Sequence, residues 1–150
     1  IYDPIELDTV LSRYEFGIVQ APFNIVDRRL YTSGWLEKLA KSGIEIHVRS
    51  IFLQGLLLLD KQKRRRMFSR WTPLWKDYDN WLNEKKISPL QACISFVNSF
   101  PEINRIVLGV DSLKQFQGII KGHTAVVYDY PNSISCEDLD LIIPSKWGHS

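Results

Sequence analysis

At 150 residues, 45% of them hydrophobic, the chain has the size of one domain and enough apolar material for a core. Nineteen basic against seventeen acidic side chains leave a net charge of +2, so no overall field draws it to nucleic acid or to an anionic membrane. The apolar run Leu56 to Leu59 is stopped by Asp60, far short of the roughly 20 residues that span a bilayer. The opening Ile-Tyr-Asp-Pro has neither the basic start nor the apolar stretch of a secretory leader, and a cytoplasmic protein is expected. Cys93 and Cys136 stand far apart without metal-type spacing, which predicts two free thiols in a reducing compartment and no metal site. A first residue other than methionine suggests that sequence is missing upstream.

Asp3, Pro4 and Glu6 form an N-cap, first-turn proline and capping-box acid, predicting a helix from Pro4 to about Tyr14. Gly17 to Ala21 reads as a short strand ended by Pro22. Ser33 caps a second helix with Trp35, Leu36 and Leu39 on one side, and Gly43 ends it. From Ile44 to Ser50 the chain alternates, with Ile44, Ile46 and Val48 on one face and Glu45, His47 and Arg49 on the other. Trp71, Leu74, Trp75, Tyr78, Trp81 and Leu82 recur at helical spacing. Ser88-Pro89 starts a nearly apolar, hence buried, helix that runs through Phe100 and stops at Pro101. Arg105 to Val110 is a strand, and Asp111 or Ser112 caps a last helix bearing Leu113, Phe116, Ile119 and Ile120. From about His123 onward no period is visible, and the tail is expected to lie on a surface.

Strands alternating with helices across short loops imply a parallel sheet built by right-handed crossovers. Three strands are too few for a doubly wound domain. They suit one half of a (β/α)8 barrel, an architecture of about 250 residues. The expected fold is therefore α/β, the C-terminal half of a TIM-type barrel with helices outside, over residues 1–122, and a C-terminal extension over 123–150. In such a barrel Ile44, Ile46 and Val48 face the helices while Glu45, His47 and Arg49 face the lumen. Gln20, Arg49 and Ser50 then meet at the C-terminal rim, where barrel enzymes place their chemistry.

The rim segments carry a resemblance. "IVQAPFNIVDRRL" at 18–30, "VRSIFLQGLLL" at 48–58 and "IVLGVDSLKQF" at 106–116 resemble the sixth, seventh and eighth strand-loop segments of aldo/keto reductases, in that order. The opening "IYDPIELDTVL" is similar to the segment after the family's fifth strand, and the resemblance extends to about Lys121. It implies an oxidoreductase that moves a hydride between NADPH or NADH and a small carbonyl compound. Gln20 matches the glutamine that holds the nicotinamide carboxamide, and Arg49 falls where many members stack an aromatic ring on the nicotinamide. A guanidinium also stacks on rings. Ser50, Phe52, Gln54 and Gly55 match the loop beside the pyrophosphate, and Gly109, Val110, Asp111, Ser112 and Gln115 match the adenosine end. Phe23 and Asn24, with Phe52, are candidate walls of the substrate pocket. Members strict for NADPH usually carry Lys or Arg where this chain has Asp111 and Gln115, which leans toward NADH or dual use, with Lys114 able to compensate.

The family's catalytic Tyr, Asp, Lys and His belong to the first half of the barrel, so no catalytic residue is assigned here. Tyr14, Tyr31 and His47 are not promoted to that role. The chain alone is then inactive and needs the missing N-terminal half-barrel as its partner; uncovered edges also allow a homo-oligomer. The competing reading is a non-catalytic module that binds nicotinamide or recruits another protein. His47 is expected as a hydrogen-bonded interior histidine, and Arg49 as either a cofactor contact or an ion-pair partner of Glu45 or Asp27. The run Lys61, Lys63, Arg64, Arg65, Arg66 and Arg70 is a solvated charge run unless it screens phosphates. The aromatic stripe from Trp71 to Trp81 is either a packed helix face or a substrate lid.

Overall fold

A computed structural model describes residues 1–122 and 128–148. The order is α1 (Glu6–Leu11), β1 (Ile18–Pro22), α2 (Arg29–Thr32), α3 (Trp35–Lys41), β2 (Glu45–Arg49), α4 (Thr72–Lys85), α5 (Pro89–Asn98), β3 (Arg105–Ile106), α6 (Leu113–Gly122) and α7 (Leu139–Ile142), with 3-10 turns between. The strands form one parallel sheet in the order β1-β2-β3, with Val19 opposite Ile46, Gln20 opposite His47 and His47 opposite Arg105. A three-stranded parallel sheet with crossover helices is a partial TIM-type barrel.

Alternation along the strands puts all the core on one side. Val19, Ala21, Ile46 and Val48 are buried, while Ile18, Gln20, Glu45, His47 and Arg49 keep their side chains toward the open face. The buried face meets Leu36 and Leu39 of α3, Phe23, Ile25 and Val26 of the first rim loop, and the apolar side of α5.

Capping residues locate several helix starts. Asp3 Oδ1 accepts the Ile5 N–H (3.0 Å) and Glu6 Oε1 accepts the Asp3 N–H (2.9 Å), which is the reciprocal pattern read from the sequence. Ser88 and Gln91 form the same box on α5. The first helix is shorter than expected, because Arg13 and Tyr14 both turn back onto the Val10 carbonyl and the chain beyond Ser12 is exposed. The third strand is also shorter than 105–110. Its last ladder bond is Val107 N–H to the Val48 carbonyl (2.8 Å), after which no described neighbour continues the pairing.

On α4, Leu74, Trp75, Tyr78, Trp81 and Leu82 are buried, so the aromatic stripe is a packed face and not a lid. Arg64 of the basic run is buried against this helix, bonded to Asp79 at 2.8 and 2.5 Å and lying over the Trp75 ring.

Residues 128–148 pack back on the domain with Ile134, Leu141 and Ile142 buried. Arg28 donates to the Tyr130 carbonyl (3.4 Å), the Pro131 carbonyl (2.9 Å) and Asn132 Oδ1 (3.5 Å). Trp81 Nε1 donates to the Asp129 carbonyl, Trp71 Nε1 to Asp138, and the Cys136 N–H to the Val26 carbonyl. The expected boundary between 122 and 123 abuts residues 123–127, which lie outside the described residues.

Candidate functional site

The loop after β2 is held in an uncommon backbone shape. Ser50, Leu53 and Gln54 have φ of 59°, 46° and 52°, and Gly55 has 83°. Such left-handed conformations at non-glycine residues cost about 1 kcal/mol or more each, and they persist where the surroundings fix them. Here the Ser50 carbonyl accepts both the Leu53 N–H (2.9 Å) and Asn24 Nδ2 (3.1 Å). The Leu56, Leu57 and Leu58 N–H groups bond to the carbonyls of Leu53, Phe52 and Gly55. The Gln54 and Gly55 N–H groups take no part in this bonding among the described residues. Successive free N–H groups in left-handed backbone form an anion-binding concavity.

Opposite this loop stands the segment after β3. Asp111 N–H donates to Gln115 Oε1 (2.7 Å) and Gln115 N–H to Ser112 Oγ (3.2 Å), a reciprocal cap on α6. Between the two segments lies an open-sided cavity of about 430 Å³. Arg49, Ser50, Phe52, Gln54 and Gly55 line one side, and Gly109, Asp111 and Gln115 the other, with Ile51, Leu58, Val107 and Leu108 between. A Cβ built on Gly55 or Gly109 meets nothing within 4 Å, so both glycines leave open space.

Most of the sequence-predicted cofactor residues therefore meet in one cavity, and three do not line it. Gln20 is exposed on the open face of β1, and its carbonyl accepts the Ile1 amine (2.9 Å). Val110 is exposed beside the cavity, and Ser112 is occupied as a cap. Arg49 pairs with neither Glu45 nor Asp27. Its Nη2 donates to the Ile1 carbonyl (2.8 Å) and its guanidinium lies 4.7 Å from the Tyr2 ring centre. Asp27 is taken by Arg29, and Glu45 by His47 (3.0 Å) and Arg105 (3.9 Å). The hydrogen bond from His47, and then the charges of His47 and Arg105, hold the Glu45 carboxyl below its usual range.

Phe23 and Asn24 are wholly buried and border neither cavity at the rim. Phe23 packs on the rings of Phe96 and Phe100. Asn24 spends its amide on structure, since Oδ1 accepts the Val26 and Asp27 N–H groups at 2.9 and 2.8 Å while Nδ2 holds Ser50. It positions the rim loop from behind. What sequence reasoning misses is a second cavity of about 230 Å³. It shares Arg49, Ser50 and Gln54 with the first, and Tyr2, Pro22 and the tail residues Ile142, Ile143, Pro144 and Ser145 complete it. Only tertiary packing brings the tail there, and its sequence carries no periodic signal for it.

A parallel sheet of partial-barrel form, with two adjoining cavities at the C-terminal ends of its strands, defines a protein of the β/α-barrel class. The model of the aldo/keto reductase family matches residues 4–129, and the chain belongs to that family. A comparison with curated proteins finds no match. The family points to NAD(P)H-dependent oxidoreductase chemistry. The donor set fits such a cofactor: free loop N–H groups for a diphosphate, two glycines that leave the groove open, and hydroxyl and amide groups along it. Among the described residues no group of His, Cys, Asp and Glu has the makings of a metal site, and no helix is long and apolar enough to cross a membrane.

Proposed function

We propose that this chain is the cofactor-side half of an NAD(P)H-dependent carbonyl reductase of the cytoplasm. The supporting observation is the rim cavity between the β2 and β3 loops, where Ser50, Gln54 and Gly55 face Gly109, Asp111 and Gln115. The Gln54 and Gly55 N–H groups hold the diphosphate, and the segment from Gly109 to Gln115 holds the adenosine. Arg49 offers its guanidinium as the platform for the nicotinamide, already flattened on Tyr2. Gln20, level with His47 on the neighbouring strand, serves the carboxamide from the open face. When bound, the nicotinamide gives a hydride to a carbonyl carbon or takes one from the alcohol. The adjoining cavity, walled by Ile142, Ile143 and Pro144, takes the small carbonyl substrate.

The groups that move the substrate's proton are assigned to a complementary N-terminal half-barrel. Both sides of the sheet support this. Tyr14, Phe16 and Ile18 are exposed on the β1 side, and Val107, Val110, Leu113, Phe116 and Ile120 on the β3 side. Two such apolar borders on one small domain call for cover. A second copy of this chain is the other way to cover them, and sedimentation of the chain with and without a separately expressed half-barrel distinguishes the two. No activity of the isolated chain is expected.

The adenosine and diphosphate contacts lie within this chain, so it should bind NADH, NADPH or ADP-ribose without a partner. Calorimetry is expected to show one saturable site for at least one of them. Gly109→Leu, which fills the groove, should weaken it about tenfold or more, worth about 1.4 kcal/mol. Absence of saturable binding by all three overturns the proposal.

A further inference from the structure

We infer that the second rim cavity takes a small oxo acid, whose carboxylate lies on the edge of Arg49. The inference rests on the reductase reading above and names the class of carbonyl compound that the site accepts. The cavity measures about 230 Å³. Sites for drug-sized ligands run to roughly 300–1,000 Å³, so the occupant here is smaller. Tyr2, Pro22, Ile142, Ile143 and Pro144 wall it mostly with hydrocarbon. Arg49 is the one charged side chain among the described residues that border it. A half-buried cation beside apolar walls is weakly screened and attracts an anion more strongly than one in open water.

No carboxylate among the described residues pairs with Arg49. Asp27 is bonded to Arg29, and Glu45 to His47 and Arg105. In the tail, Asp138 is held by Arg70, and Asp140 by Arg70 and Lys146. Asp111 borders the neighbouring cavity and not this one.

The partners that Arg49 does have fix its position and leave its charge unmatched. Its Nη2 donates to the Ile1 carbonyl (2.8 Å), and its guanidinium lies 4.7 Å from the Tyr2 ring centre. Nε and Nη1 bond to nothing among the described residues. A planar guanidinium gives its faces to rings and its edge to the two oxygens of a carboxylate. Tyr2 and the nicotinamide therefore take the faces, and the substrate carboxylate takes the edge. Holding the cation in place beforehand lowers the ordering cost of binding. The carboxylate is a handle and does not react. The hydride of the reduced nicotinamide forms a C–H bond at the carbonyl carbon and the oxygen takes a proton. The oxo acid becomes a hydroxy acid while NAD(P)H becomes NAD(P)+.

The test compares α-ketoisocaproate with its methyl ester, which keeps the carbonyl and the apolar body and lacks the charge. Backbone amide resonances of the chain are followed as each is added, and NADH is titrated separately. The acid should bind about tenfold or more tightly than the ester, with shifts at Arg49, Ser50, Ile142, Ile143 and Ser145. Arg49→Gln should abolish that difference. Ser145→Asp, at an exposed position bordering the cavity, should weaken the acid and spare the ester, and it carries the test if Arg49→Gln does not fold. Equal binding, no binding of the acid, shifts centred elsewhere, or an acid preference that survives these substitutions overturns the inference. If NADH binds and the acid shows no preference, this inference falls alone. If NADH fails to bind as well, the reductase reading falls with it.

Discussion

The two faces of the sheet are made by the same residues in alternation, yet they obey different rules. On the helix side, Val19, Ala21, Ile46 and Val48 are at most 7% exposed and lie in a continuous hydrocarbon core. On the other side, Gln20, Glu45, His47 and Arg49 are polar and partly solvated, with Glu45 bonded to His47 and Arg49 to the Ile1 carbonyl. Stability resides on the first face. The second face and the rim above it carry the two cavities. An enclosed core and a polar barrel interior can thus be told apart one residue at a time, because the side-chain period of a strand is two.

The sharpest way to break this comparison uses neighbours on β2. Ile46→Ala should cost about 2–5 kcal/mol in urea unfolding, since it leaves a cavity in a packed core. His47→Ala, one position along, should change stability by about 0.5 kcal/mol or less. Equal losses would mean that the open face is as much a part of the core as the covered one.

Next in size is the anchor of the tail. Arg28 is buried, and burial pushes its pKa below the ordinary arginine value. Arg28→Ala strips partners from the Ile25, Tyr130 and Pro131 carbonyls and should cost about 1–3 kcal/mol. Faster amide exchange should then appear through 128–148, with β1 and β2 unaffected. Uniform loss of protection would show that the tail and sheet unfold together.

A smaller effect of opposite sign is expected at the end of α4. Lys86 closes that helix with φ of 53°, a conformation that glycine adopts without strain. Lys86→Gly should stabilise the fold by about 0.5 kcal/mol or more. The rim loop makes the informative contrast: Gln54→Gly, at φ of 52°, should relax the same strain but loosen the backbone that faces the cavity.

The smallest effect near neutral pH belongs to the buried thiol. Burial raises the Cys93 thiol from 9.0 to about 12, outweighing the hydrogen bond with Tyr78, which lowers it. The folded state then holds this proton more tightly than the unfolded state, so its contribution is fully present below pH 9 and is lost between 9 and about 12. Cys93→Ala should flatten the alkaline fall in stability over that window, and native Cys93 should resist thiol reagents at neutral pH. An unaltered alkaline profile would assign the loss to other groups, Tyr78 and Tyr130 among them, whose pKa values burial also raises.

Local signals explain what the sequence makes legible. The strict alternation at 44–50 marks the faces of β2, Asp3-Pro4 and Ser88-Pro89 mark helix starts, and the rim segments bear the family's pattern in order. Where a feature depends on partners distant in sequence, the residues are silent. The tail shows no period in sequence because its order comes from Arg28, Trp71 and Trp81, far away in the chain. Asn24 reads as a pocket residue because the bond from its Nδ2 to the Ser50 carbonyl spans 26 positions, whereas the turn in which its Oδ1 accepts the Val26 and Asp27 N–H groups is local and open to sequence reasoning. Arg49 has a charge and a position, but its Tyr2 platform appears only when the first residues fold beside β1.

The most direct test of the central claim is to follow backbone amide resonances of the chain as NADH is added. The account predicts shifts concentrated at Ser50–Gly55 and Gly109–Gln115, with the helix-side core unmoved. Shifts centred elsewhere, for example on the groove between α1 and α3 near Trp35 and Asp8, would contradict it and place any nucleotide site outside the barrel rim.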